Sequence, residues 1–251
     1  MTSAGDERLP PSIGGLVDLA FSAYLQRAPL YLGLALAVFA LGGAVELLSA
    51  LTKNTNVADV NSALCSLFSD AFVVAVVALG IGTRVAGETP PARALAGGAA
   101  ERWLPVLGAM TVVQVVFLLT ASSSGLGPVG DLGDILFAPV IWLLWGALGL
   151  AAPIAALAPE RGAKAIAVAL FRALSLALRA SNLPRLCVVA FASLVPLLLE
   201  VLAGDLLAQR HVPHAVFWAN VPLDALAVGP LAALQTVFAL DFARRAQAVS
   251  R

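Results

Sequence analysis

The sequence predicts an all-α fold: a polytopic membrane helix bundle of six transmembrane helices, with amphipathic helices lying on one face of the bilayer. Three observations carry this reading. Hydrophobic residues make up 60% of the 251 residues and charged ones only 12%, whereas soluble domains carry about 25% charged residues. Six long apolar stretches stand out, near residues 30–51, 63–82, 104–121, 135–158, 184–207 and 216–240. Each is close to the ~20 helical residues that cross a hydrocarbon core of ~30 Å. The third observation is the sidedness of positive charge. Thirteen of the fifteen Lys and Arg fall in the N-terminus, the second and fourth connections and the C-terminus: Arg8, Arg27, Arg84, Arg93, Arg102, Arg161, Lys164, Arg172, Arg179, Arg185, Arg244, Arg245 and Arg251. The other connections keep only Lys53 and Arg210. Cytoplasmic loops retain Lys and Arg, so this split orients the bundle with both termini inside.

Formal net charge is zero, so no bulk field draws nucleic acid. Residues 1–11 are polar and proline-bearing and predict a short disordered tail; 12–245 form the membrane domain and 246–251 a C-terminal tail. A basic start running directly into an apolar core is missing, so the first span is expected to act as an uncleaved signal anchor. Cys65 and Cys187 fall near opposite ends of their spans, too far apart for a disulfide, and are expected to be inert buried thiols.

Each odd-numbered span is preceded by a segment that predicts an interfacial helix. Residues 12–28 place Ile13, Leu16, Val17, Ala20, Tyr24 and Leu25 toward lipid, with Asp18, Ser22 and Gln26 on a polar stripe. Residues 90–102 give a weaker helix, with Thr89 as its cap, Pro90 in its first turn and Gly97 and Gly98 interrupting it. Residues 163–181 put Lys164, Arg172, Ser175 and Arg179 on one stripe, opposite Ile166, Leu170, Leu174 and Ala177. All three then meet a proline that suits the first turn of the next span: Pro29, Pro105 and Pro184. The unit is interfacial helix, proline-started span, outer loop and return span, which suggests a threefold parallel repeat. Three similar solutions to one topological problem are the alternative. Ala225, Gly229 and Ala233, and Gly33 with Ala37, are small residues four apart, a spacing that favours close helix packing within the chain.

Four carboxylates are the sharpest candidates for chemistry: Glu46, Asp70, Glu200 and Asp224, from spans one, two, five and six. Counted from the outer ends, three lie roughly 7–12 Å deep at about 1.5 Å per helical residue, and Asp70 is similar. No Lys or Arg occurs at that depth, and an ionisable group inside a span normally faces a bundle interior or wet cavity. They predict an outward-facing acidic cavity for a proton, a cation or a cationic headgroup. The competing reading makes Asp70 and Asp224 caps of later-starting helices, with Glu46 and Glu200 snorkelling outward or protonated. Gln114 and Gln235 predict interhelical hydrogen bonds in the bundle interior, and Asp224, Val228, Leu231 and Gln235 share one helical face.

His211 and His214 form a His-Val-Pro-His loop near Asp205 that lacks a third fixed zinc ligand, so a solvated loop is expected. Trp103 and Trp218 suit an aromatic belt at span ends, and Trp142 and Trp145 suit contacts with lipid or helices. Phosphate-binding Gly-Lys loops, His-Glu-x-x-His, Cys-x-x-Cys and Gly-x-Ser-x-Gly are all missing from the sequence. The expectation is therefore a protein that is not an enzyme, with no catalytic residue, cofactor or metal.

Two segments resemble a bacterial family. Pro153…Pro159-Glu160-Arg161-Gly162 followed by Ala169-Leu170-Phe171-Arg172-Ala173-Leu174-Ser175-Leu176, and the closing Gln235-Thr236-Val237-Phe238-Ala239-Leu240-Asp241-Phe242-Ala243-Arg244-Arg245, are similar to the membrane domain of the glycerophosphoryl diester phosphodiesterase type. That domain also occurs alone as uncharacterised multi-span proteins. The family favours Ser where Ala173 stands and an aromatic where Ala239 stands. The resemblance implies a multi-span helical module of the bacterial inner membrane and transfers no catalytic residue. Two functions follow as expectations. One is binding or moving a lipid-like or cationic small molecule through the acidic cavity. The other is an accessory role, docking a membrane-protein partner or anionic lipid through Lys164, Arg172 and Arg179. The sequence leaves the oligomeric state open.

Overall fold

The structure, a computed structural model, describes residues 9–50, 55–122, 128–210 and 215–249. Within these ranges the side chains of 46–50, 55–63, 117–122, 128–138, 196–197, 200–201, 204–205, 207–208, 215–222 and 249 fall outside the description. The described residues are helical nearly throughout and include no strand. In chain order the helices are α1 (Ile13–Leu25), α2 (Ala28–Ala50), α3 (Thr55–Val85), α4 (Ala92–Ser122), α5 (Pro128–Gly149), α6 (Ala151–Leu157), α7 (Gly162–Ala177), α8 (Leu183–Gln209) and α9 (Ala215–Val249). Helices α5 and α6 are one rod interrupted at Leu150, and a 3-10 turn, Ala180–Asn182, separates α7 from α8.

Four of these rods are long and apolar enough to cross a membrane: Ala28–Val45 in α2, Leu64–Val85 in α3, Pro139–Leu157 in α5 and α6, and Leu223–Ala248 in α9. The other two apolar stretches of the sequence lie in α4 and α8, helices of 31 and 27 residues.

Local chemistry sets several boundaries. Ser12 caps α1, its Oγ accepting from the Gly15 N–H at 3.1 Å. Pro29 and Pro184 each occupy the second position of a helix, where the missing N–H has no partner to lose. The middle segment differs from expectation. Helix α4 begins at Ala92 rather than at Pro90, so Thr89 is no cap, and it runs unbroken through Gly97, Gly98 and Pro105. The alanine-rich segment before Pro105 has strong helix propensity, and only the Glu101 carbonyl loses its donor there. Gly98 is used for approach: a Cβ there would stand 3.3 Å from Leu79 of α3.

The lipid-facing assignment of α1 is also corrected. Leu16, Ala20 and Tyr24 are almost fully buried, packed mainly against α9, while Leu25 and Phe21 remain exposed. Amphipathicity identified the apolar face, but the protein rather than the bilayer covers it. Residues 9–11, assigned to the tail, are tied down as well: Leu9 is buried and its carbonyl accepts from Arg244 at 2.6 Å. At the other end α9 continues to Val249, so residues 246–249 are helix and not tail. Cys65 is half-buried and Cys187 exposed, so Cys187 is not the buried thiol expected.

Three rods meet at the centre. Helix α3 packs on α6 and α9, and α6 packs on α9. Around them α2 lies against α3 and α9, α4 against α3 and α6, and α8 against α5 and α9; α1 covers α9, and α7 covers α6. Small residues permit these approaches. Ala165, Ala169, Ala173 and Ala177 form a fully buried stripe along α7. Tyr24 and Tyr31 stack with ring centroids 5.4 Å apart. The Tyr31 ring lies on Gly80 of α3, and the Tyr24 ring on Gly229 of α9, where a Cβ would meet the Tyr24 hydroxyl at 2.7 Å. The small-residue run Ala225, Gly229 and Ala233 is buried in this way, whereas Gly33 and Ala37 are exposed. Burial pushes the Tyr24 hydroxyl above its ordinary pKa, with Tyr31 adding to the effect, so it stays protonated.

At the end of the bundle that carries α1 and α7, arginines bind backbone carbonyls of neighbouring loops. Arg27 donates to the Pro90 carbonyl at 2.9 Å, Arg102 to the Glu160 carbonyl at 2.6 Å, and Arg185 to the Pro11 carbonyl at 2.7 Å. Arg27 precedes α2, Arg185 opens α8 and Arg102 lies inside α4 ahead of Pro105, while each acceptor lies in the loop before α4, α7 or α1. The third contact returns to the first loop.

The last contact is part of a larger cluster. Asp241, with no solvent exposure, takes Arg244 at 2.5 Å on Oδ1 and Arg245 at 2.8 Å on Oδ2. Arg185 Nε lies 3.0 Å from Oδ2 as an ion pair without hydrogen-bond alignment, its Nη2 being committed to Pro11. The cluster joins α8, α9 and the segment before α1.

These contacts have measurable consequences. In detergent-solubilised protein, Gly229→Ala lowers thermal stability by about 1–3 kcal/mol through overpacking against a rigid ring. Gly33→Ala, which faces open space, leaves stability within about 0.5 kcal/mol. Asp241→Asn destabilises by up to about 3 kcal/mol, because it leaves three partly buried guanidinium groups without their counter-charge; a melting temperature equal to wild type would refute the clamp.

Candidate functional site

A cavity of about 170 Å³ lies where the three central rods meet. Its polar lining is Asp70 from α3, Gln114 from α4, Ser193 from α8 and Gln235 from α9, with Trp145 and Gly149 from α5. Apolar walls come from Val74, Met110, Leu148 and Val228, among others. Gln235 is six residues from Asp241 along α9, and Asp70 fourteen residues from Arg84 along α3. At ~1.5 Å per residue these place them roughly 9 Å and 21 Å from the arginine-bearing end. The cavity is therefore at mid-depth of the bundle.

Three of the polar residues singled out from sequence thus converge: Asp70, Gln114 and Gln235. Asp70 sits fifteen residues inside α3, and Asp224 nine residues inside α9, so neither caps a helix. Asp224 does not line the cavity. It is half-buried on the side toward α3, where the Ser66 hydroxyl donates to Oδ2 at 3.4 Å. Its helical neighbours Val228, Leu231 and Gln235 do line the cavity, as their shared face predicts. Glu46 and Glu200 lie on α2 and α8 with side chains outside the described residues, and His211 and His214 lie outside them altogether.

The two glutamines differ from expectation. Gln235 is buried, at 8% exposure, but its amide has no hydrogen-bond partner among the described residues. Gln114 is exposed and stands where the cavity opens rather than in the bundle interior. Cavity lining, not interhelical bonding, is what places them. Ser193 donates to the Val189 carbonyl at 2.9 Å, which leaves its oxygen as an acceptor. Trp145 joins the cavity wall while Trp142, three residues earlier, is exposed. Trp103 packs into the bundle: its ring centroid lies 5.2 Å from that of Phe68, and Nε1 donates to the Phe68 carbonyl at 3.1 Å. Sequence reasoning missed Ser193 and Gly149, since a serine and a glycine in an apolar helix carry no signal alone.

The wall at Gly149 has an unusual backbone. Helix α5 ends there, and the Leu150 N–H turns back to the Ala147 carbonyl at 3.2 Å. Regular pairing resumes when Ile154 donates to the Leu150 carbonyl at 3.2 Å. Pro153 has no N–H to offer the Gly149 carbonyl, four residues back. Gly149 also admits its neighbour: a Cβ there would stand 3.0 Å from Gln235 Nε2.

A second surface lies on α7. Lys164, Arg172 and Arg179 are exposed, as are the large apolar Phe171 and Leu178 on the adjoining edge. Arg172 reaches Glu160 at 3.7 Å, a partly exposed pair of modest strength. Among the described residues no three His, Cys, Asp or Glu side chains are grouped to hold a metal. No protein-family model, curated protein or solved structure matches this chain.

Proposed function

We propose that this chain is a non-enzymatic integral membrane protein that binds, or helps to move, a small cationic molecule through the central cavity. The observation carrying this is the convergence of Asp70, Gln114 and Gln235, from three helices, on one cavity at mid-depth. A carboxylate inside an apolar bundle is costly and tends to mark a ligand or ion path. On this reading Asp70 is the counter-charge, while Gln114 at the opening and Gln235 within supply amide contacts. The acidic cavity first expected from Glu46, Asp70, Glu200 and Asp224 narrows to Asp70 among the described carboxylates.

The same proposal takes the fold to six transmembrane helices in a bacterial inner membrane, α4 and α8 being the two further spans, with both termini cytoplasmic. The three arginine-to-carbonyl contacts support a threefold parallel repeat, because each runs from near the proline of one unit to the loop before the next and the third returns to the first. The continuous α4 is the place where the units diverge. The resemblance to the glycerophosphodiesterase-type membrane domain belongs to this proposal too. Two of its marked residues, Glu160 and Asp241, are the ones that receive arginines.

A second reading is favoured by the α7 surface. Exposed Phe171 and Leu178 beside Lys164, Arg172 and Arg179 suit a helix seated among anionic headgroups or against a membrane-protein partner.

The cavity reading is checked by chemical access. In a Cys65→Ser, Cys187→Ser background, Ser193→Cys is expected to react at least about tenfold faster with a small cationic methanethiosulfonate than with an anionic one. Asp70→Asn should bring that ratio close to one. An introduced thiol that reacts with neither reagent sinks the reading. Topology has its own measurement: a membrane-impermeant maleimide should label Cys187 in inverted vesicles and not in intact cells.

A further inference from the structure

We infer that the central cavity is a site for a monovalent metal cation, held by the Asp70 carboxylate, the Gln235 amide oxygen and the Gly149 carbonyl. The inference rests on the cavity reading above and adds the chemical class of the ligand.

Three independent features point to a cation. The first is backbone. The rod of α5 and α6 is broken at Leu150, and Pro153 denies the Gly149 carbonyl its helical donor. Deep in a bundle, irregular backbone is tolerated where it lines a cavity, and Gly149 does so. A carbonyl without a donor there costs free energy unless something positive meets it. The second feature is Gln235, a buried amide with no hydrogen-bond partner among the described residues, beside Gly149 and on the same cavity. Its amide borders the cavity, where a ligand can meet it. The third is charge: among the described residues the cavity lining contains Asp70, and no Lys or Arg.

The donor set then selects the ion. All the donors are oxygens, with Ser193 available as a further acceptor, and one carboxylate balances one positive charge. A divalent ion would keep an uncompensated charge in a low-dielectric interior. Calcium takes six to eight oxygens, commonly several carboxylates, and magnesium retains most of its water. Zinc-type ligands are not grouped among the described residues. A cavity of about 170 Å³ admits an alkali ion together with several waters, each filling about 30 Å³. Broken helices whose freed carbonyls meet at mid-membrane are a recurrent way of holding sodium.

The test uses the full chain in lipid nanodiscs, unfolded thermally in sodium, potassium, lithium, choline or N-methylglucamine chloride at constant ionic strength. A saturable rise in melting temperature is expected with sodium or potassium relative to N-methylglucamine. Asp70→Asn and Gln235→Leu should each raise the half-saturating concentration at least about tenfold. Pro153→Ala is the decisive variant, because it gives the Gly149 carbonyl its N–H. It should raise the melting temperature in N-methylglucamine while weakening the response to the metal ion, a combination that a purely structural role does not produce. Equal melting temperatures in all salts overturn the inference, as does an unchanged ion response in both Gln235→Leu and Pro153→Ala. If choline stabilises through Asp70 and the metal ions do not, the cavity reading stands and this inference fails. Should Asp70→Asn fail to fold, the other two variants carry the decision.

Discussion

One buried carboxylate fastens the N-terminal segment of this chain to its C-terminal helix. Asp241 has no solvent exposure, and three guanidinium groups converge on it from α8 and α9. Three positive charges against one negative would be unfavourable if the surplus donors had nowhere to go. They go to the carbonyls of Leu9 and Pro11, so the polypeptide before α1 completes the cluster. Without Asp241, arginines at the end of α9 would repel one another and the N-terminal segment would lose its anchor. With it, α8 and α9 are fixed at the end from which both central and peripheral packing is measured. Removing one partner of such a buried set costs more than the set contributes, because the remaining charges stay desolvated.

The other arginines work on the same terms with less at stake. Arg27 and Arg102 each donate to a loop carbonyl, which needs a partner wherever a turn is covered by protein. Among the described residues the ion pairs lie at this end of the bundle, and small residues settle the spacing in the middle. Tyr24 on Gly229, Tyr31 on Gly80 and the alanine stripe of α7 bring backbones close without polar bonds. Between helices already surrounded by lipid-like surface, dispersion across close backbones is the main attraction available. Polar bonding at one end and tight apolar contact in the middle are therefore complementary.

Much of the architecture was legible because it depends on local pattern. Apolar runs gave the helices, Pro29 and Pro184 gave helix starts, and a 3.6-residue period put Val228, Leu231 and Gln235 on one face. What was not legible depends on partners far along the chain. Asp241 followed by arginines reads as a basic ending, and nothing near it reveals that Arg185 completes the pair. The buried face of α1 is equally apolar whether lipid or α9 covers it. Pro105 and Pro29 look alike in sequence, yet only one begins a helix, because alanine-rich residues before Pro105 sustain the helix through it. The candidate site was half visible. Asp70, Gln114 and Gln235 stood out as polar residues in apolar runs, but their convergence is a lateral fact about three helices.

The break at Leu150 shows how the clamp and the cavity are linked. A rod spanning α5 and α6 without interruption would satisfy every carbonyl and present a smooth apolar wall to Gln235. Pro153 prevents this, and the bundle accepts the loss because α6 is packed by α3, α4, α7 and α9. The loop that follows α6 is fastened in turn: Arg102 takes the Glu160 carbonyl and Arg172 its carboxylate. A helix this well fixed at its end can carry an irregular turn at mid-depth without unravelling. The polar features at the centre are thus sustained by bonds at the periphery, which is why the residues that hold the fold and those that line the cavity are different sets.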